Sequence, residues 1–229
     1  MTTFVLVPGA DGTAWYWHLL VPELRAHGHR AVTPDLPSEE GAGLVDFADA
    51  VVAAVEASPP DAGDPLVVVA QSLGGFSAPL VCDRLPVEEI VLLNAMVPVH
   101  GESAGEWWVN TGQAAARSAY AEEIGRGPDP EFDPLAEFFH DVPPEVAEQA
   151  MAAEPRPVPS TFFADPWPLE RWPAVPTRFL QGREDRLFPL EFQRRVVRER
   201  LGIEVEEIPG GHVPALGHPK ELAAALLRS

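Results

Sequence analysis

The run Leu66-Val67-Val68-Val69-Ala70 stops abruptly at Gln71-Ser72-Leu73-Gly74-Gly75. Consecutive apolar residues rich in β-branched Val predict a strand that has no solvent face. The polar and glycine residues that follow predict a sharp turn into a helix reaching Leu85. A strand buried on both faces needs helices on both sides of its sheet. Parallel strands joined by helical crossovers supply them.

The remainder of the chain has the same rhythm. Apolar runs predict strands at 4–7, 30–33, 90–93, 177–180 and 204–208. Helical spacing predicts helices at 15–27, 44–57, 190–201 and 221–227. The expected fold class is α/β, with a mostly parallel sheet of about six strands flanked by helices. One stretch breaks the alternation. Residues 95–172 contain no convincing strand, only helix-like pieces at 105–124, 135–139 and 144–151 and a proline-rich break at 155–159. They read as a helical cap inserted after the fourth strand, within a single domain of residues 1–229. An irregular crossover is the alternative. The aromatics Trp107, Trp108, Phe138, Phe139, Phe162 and Phe163 favour a packed cap.

Composition narrows the classes of function. The 229 residues carry 16 basic and 35 acidic side chains, a formal net charge of -19. Phosphate backbones and anionic lipid surfaces would be repelled, so neither nucleic acid nor membrane is an expected partner. No apolar run is long enough to span a bilayer. Cys82 is the only cysteine and can form no disulfide within the chain. The chain opens on a strand-like run without a basic leader, which leads to a cytoplasmic expectation. Oligomeric state stays open, a homodimer included.

Three polar residues each follow a different expected strand. Ser72 sits in Ala70-Gln71-Ser72-Leu73-Gly74, where small residues two before and two after a serine let a strand-to-helix turn close tightly. Such a turn holds a hydroxyl exposed for nucleophilic attack. A helix N-cap is the plainer job for the same serine. His212, in Pro209-Gly210-Gly211-His212-Val213-Pro214, lies after the last strand, where its imidazole can serve as a base. His218 is the fallback. Asp185, in Gly182-Arg183-Glu184-Asp185 with Pro189 four residues later, follows the penultimate strand and can orient the imidazole. Glu184 is its rival. An oxyanion hole would use backbone N–H groups, one at Leu73 and one in the loop 8–12, best placed at Ala10. That loop lacks the glycine pattern of a dinucleotide or phosphate loop. The histidines are scattered without metal-ligand spacing, so neither metal nor other cofactor is expected.

The chain resembles the compact α/β-hydrolases of the plant methylesterase and hydroxynitrile-lyase group and their bacterial relatives. The resemblance rests on Val5-Leu6-Val7-Pro8-Gly9-Ala10, Ala26-His27-Gly28-His29-Arg30, Pro34-Asp35-Leu36-Pro37 and Gln71-Ser72-Leu73-Gly74-Gly75. It extends to Phe138-Phe139-His140-Asp141-Val142-Pro143-Pro144, Gly182 to Pro189 and Gly210-Gly211-His212. It implies the α/β-hydrolase fold, and the order Ser72, Asp185, His212 is the order of its triad. The group usually has His-Gly where this chain has Pro8-Gly9. Its lyases carry a Lys directly after the catalytic His, where this chain has Val213. The missing cation favours hydrolysis of a small apolar or aromatic ester through an acyl-enzyme. Trp15, Phe76, Trp107, Trp108, Phe188 and Val213 are the expected pocket residues. C–C bond cleavage, cofactor-free oxygenation, or ligand binding with negligible turnover remain as alternatives.

Overall fold

A computed structural model describes residues 1–10, 12–154 and 156–228. Asp11 of the loop after the first strand and Pro155 of the proline-rich break lie outside the described residues. Six strands form one sheet: β1 (Thr3–Val7), β2 (Arg30–Val32), β3 (Leu66–Gln71), β4 (Val87–Leu93), β5 (Thr177–Gly182) and β6 (Glu206–Ile208). Their spatial order is β2-β1-β3-β4-β5-β6, and every neighbouring pair is parallel. Val5 pairs with Val68, Val68 with Ile90, and Leu92 with Phe179.

The uninterrupted apolar strands are buried on both faces, as their composition requires. Val5, Val7, Val68, Ala70, Ile90, Leu92 and Phe179 face one core, which is closed by α2 (Leu44–Ala57) and α9 (Leu190–Leu201). Phe4, Leu6, Val67, Val69, Val91, Leu93 and Leu180 face the other, closed by α1 (Leu20–Ala26) and α11 (Pro219–Leu226). Sequence order reverses at β1, which has β2 on one side and β3 on the other. The crevice beyond the carboxyl ends of β1 and β3 is therefore the switch point at which open α/β sheets bind ligands.

Helices are more broken than their periodicity predicts. The expected helix 15–27 is a 3₁₀ turn at Ala14–Trp17 followed by α1. Pro22 has no N–H and would strike the carbonyl four residues back, so the α-helix can start only just before it. Pro79 acts likewise after Ser72. There α3 (Gly74–Ser77) gives way to a 3₁₀ turn at Ala78–Val81. Between β4 and β5 lie α4 (Ala104–Thr111), α5 (Gln113–Glu123), α6 (Pro134–Glu137), α7 (Pro144–Ala152) and α8 (Ser160–Ala164). Gly112, at φ 69°, splits what reads as one helix into α4 and α5. Sequence does not foretell α8 or α10 (Pro214–Gly217), because elements this short carry no periodicity.

One glycine is dictated by crowding. A Cβ on Gly75 would lie 1.9 Å from the Met96 carbonyl oxygen, a backbone atom that cannot step aside. Gly75→Ala is expected to cost roughly 3 kcal/mol, seen as a fall of roughly 6–12 °C in Tm by thermal melting.

Candidate active site

At the end of β3 the backbone of Ser72 turns to φ 49°, a left-handed conformation rare for a residue with a Cβ. Neighbouring strands hold it there. The Ser72 N–H donates to the Leu93 carbonyl (3.1 Å), and the Ser72 carbonyl accepts from the N–H groups of Met96 (2.9 Å) and Gly75 (3.1 Å). Leu73, not Ser72, is the N-cap of α3, so the hydroxyl has no capping task. It meets His212 instead, with Oγ 3.1 Å from Nε2.

His212 lies on the loop between β6 and α10, and its Nδ1 is 2.9 Å from Asp185 Oδ2. Asp185 is fully buried. Its Oδ1 accepts from the N–H groups of Leu187 and Phe188, both at 2.9 Å, and its Oδ2 also accepts from Gln181 Nε2 at 3.2 Å. These donors satisfy both oxygens of the buried carboxyl group in place of water. As an acceptor it draws the imidazole proton to Nδ1, leaving the Nε2 lone pair toward Ser72. The rival Glu184 is spent elsewhere, accepting from the Gly210 N–H at 2.8 Å.

Three further side chains, Asn94, Gln71 and Asp141, hold the histidine loop, and sequence alone does not assign them that task. Asn94, at φ 45°, donates from Nδ2 to the carbonyls of Gly211 (2.8 Å) and His212 (3.1 Å), while its Oδ1 accepts from the Gly182 N–H (2.7 Å). Gln71 donates to the His212 carbonyl at 3.1 Å. The available signal was a polar amide closing each of two apolar strands. Asp141, from the segment between β4 and β5, accepts from the Gly211 N–H at 2.6 Å and lies 3.3 Å from Nε2 of His218, the fallback histidine. Burial lowers the pKa of neighbouring His140, against the pull of Asp141.

Ser72 and His212 open onto a cavity of about 920 Å³ at the switch point. Trp15, Trp108 and Val213 line it, together with Ala10 and Leu73. Among the described residues neither the Ala10 nor the Leu73 N–H has a hydrogen-bond acceptor. Phe76, Trp107 and Phe188 correct the expectation, because they are core residues outside the wall. Phe76 packs on Phe162, and Trp107 donates Nε1–H to the Val97 carbonyl at 3.1 Å. Phe188 sets its ring edge against His212, with centroids 5.1 Å apart. Each is drawn inward by the area it buries. Phe138, Phe139, Phe132 and Phe163 take their places on the wall, with Phe138 5.3 Å from the His212 ring.

Among the described residues no group of three or more His, Cys, Asp or Glu is arranged to hold a metal, and no helix is long and apolar enough to cross a membrane. Burial pushes the Cys82 thiol up to about 11, which leaves it protonated and unreactive near neutral pH.

Residues 4–225 match the family described as the alpha/beta hydrolase family. The chain belongs to that family. Among curated proteins it is similar to probable esterase PIR7A of Oryza sativa subsp. indica, 28% identical over 257 residues that cover 98% of this chain and 95% of the relative. Polyneuridine aldehyde esterase of Rauvolfia serpentina is 26% identical over 252 residues, covering 98% and 94%. The crystal structure of polyneuridine aldehyde esterase superposes with a TM-score of 0.76 at 24% identity, covering 99% of this chain and 98% of the other. This α/β-hydrolase shares its fold with that structure end to end.

Proposed function

We propose that this α/β-hydrolase is a serine carboxylesterase acting on small apolar or aromatic esters. The observation that carries the reading is the hydrogen-bonded series Ser72–His212–Asp185 opening into a mainly apolar cavity. The esterase names of its relatives agree with it. Residues 95–172 act as a cap that gives the cavity its aromatic wall.

In the proposed reaction His212 Nε2 takes the Ser72 hydroxyl proton as Oγ bonds to the ester carbonyl carbon. Backbone N–H groups of Ala10 and Leu73 stabilise the oxyanion. The carbon–oxygen bond to the leaving group then breaks, and His212 returns the proton to the departing alcohol. Water repeats the sequence on the acyl-enzyme, losing one proton to His212 and adding its oxygen to the acyl carbon. Ser72 recovers its hydrogen, and an acid and an alcohol leave.

Asp141 is a positioning residue in this scheme, because it holds the Gly211 N–H of the loop that carries His212 and touches neither Ser72 nor the His212 ring. Asp141→Ala is expected to lower kcat about 10-fold, the value of one charge-assisted hydrogen bond, and to leave KM within about two-fold. Steady-state kinetics on 4-nitrophenyl butyrate separate the two constants. The proposed function itself is tested by turnover of that ester and by a fluorophosphonate probe that labels Ser72 in the folded protein. Labelling without turnover of any small ester would leave a ligand-binding role instead.

A further inference from the structure

The cavity wall carries a cation that the proposed chemistry does not use. Arg117 of α5 is largely buried, with 15% of its side chain exposed, and it lines the cavity. Its Nε and Nη2 bond Glu137 (3.3 and 2.9 Å), and Nη2 also reaches the Pro130 carbonyl (3.2 Å). Its Nη1 has no acceptor among the described residues. Glu137 is fully buried and is shared with Arg126 at 2.8 Å. Burial raises the pKa of Glu137, but the hydrogen bonds and charges of the two guanidinium groups outweigh this and hold its carboxyl below the ordinary value. Two cations thus share one anion, leaving an excess positive charge. Phe132, another wall residue, has its ring centroid 5.9 Å from Arg117 Cζ. Two further wall residues carry charge, Arg156, bonded to the Leu36 carbonyl at 2.8 Å and 3.9 Å from Asp35, and the exposed Glu154.

A largely buried guanidinium with one fork arm unpaired among the described residues, set in a mainly apolar wall, is a carboxylate receptor. We infer that Arg117 forms an anion subsite, and that the preferred esters carry a carboxylate besides the reacting ester group. The substrate side of this inference rests on the esterase reading. A chain of net charge -19 repels anions at long range, so the subsite must act by contact inside the cavity.

The test compares kcat/KM for 4-nitrophenyl half-esters of succinic, glutaric, adipic and suberic acids with neutral 4-nitrophenyl alkanoates of matched length. At the best chain length, Arg117→Gln is expected to lower the anionic-to-neutral ratio about 10-fold or more. Glu137→Gln, which removes the compensating charge, is expected to raise that ratio. Ratios unchanged by either variant, or anionic and neutral activities lost in parallel, would overturn the subsite. A binding measurement without turnover covers folding failure of either variant and the absence of esterase activity. Ser72→Ala protein is titrated with monomethyl adipate and methyl hexanoate, and the anion is expected to bind several-fold tighter. Equal or weaker binding of the anion overturns the inference. Arg117-dependent binding of the anion without hydrolysis of any ester overturns the esterase reading and leaves the subsite standing.

Discussion

Ser72→Ala is expected to lower kcat for 4-nitrophenyl butyrate by about 10⁵–10⁶-fold and to abolish fluorophosphonate labelling. In the proposed reaction the hydroxyl oxygen forms the acyl bond, and among the described residues its hydrogen-bond partner is His212 Nε2 at 3.1 Å. Removing it leaves the backbone donors and the cavity, which bind but form no covalent intermediate. The variant should fold, because Ser72 Oγ supports no helix cap and the turn is held by main-chain bonds to Leu93, Met96 and Gly75. Circular dichroism and Tm close to those of the parent would show that chemistry alone was lost. Ser72→Gly should be equally inactive while relieving the left-handed strain at φ 49°. Substantial turnover by Ser72→Ala would remove the serine from the mechanism.

Asp185→Asn is expected to lower kcat about 10⁴-fold, measured on the same ester. The fully buried carboxylate accepts from the Leu187 and Phe188 N–H groups on one oxygen and faces His212 Nδ1 with the other. An amide keeps the first set by turning its oxygen toward them. Its NH₂ then points at Nδ1, which must become an acceptor. The imidazole proton moves to Nε2, and the lone pair needed to take the Ser72 proton is gone. Glu184→Gln makes the contrast. A glutamine oxygen can still accept from the Gly210 N–H, so activity within about three-fold of the parent is expected, since one neutral bond replaces a charge-assisted one. Equal losses in the two variants would mean that the neighbouring carboxylates act together.

Legibility in the sequence follows from how locally each feature is encoded. The apolar runs at β1, β3 and β4 are visible because a strand covered on both faces must be hydrophobic throughout. Ser72 is visible because the turn needs Ala70 and Gly74 beside it. Asn94 and Asp141 are not visible in the same way. Their partners, the Gly211 and His212 backbone, lie 117, 118 and 70 residues away, and any polar residue at a strand end looks alike. Asp141 stood within the resembling segment, without any indication of what it grips.

The parallel α/β sheet, the family, and the three loop positions where Ser72, Asp185 and His212 stand are legible from local composition. Local composition and order suffice for these, because burial on two faces and right-handed crossovers leave few topologies open. Tertiary structure alone decided which aromatics face the cavity and which fill the core. Phe188 and Trp107 sink into packing, while Phe138 and Phe132 reach the wall. All four are large apolar rings, and burial energy treats them alike. Only the packing of the segments that carry them sorts them, and the same packing brings Arg117 to a mainly apolar wall.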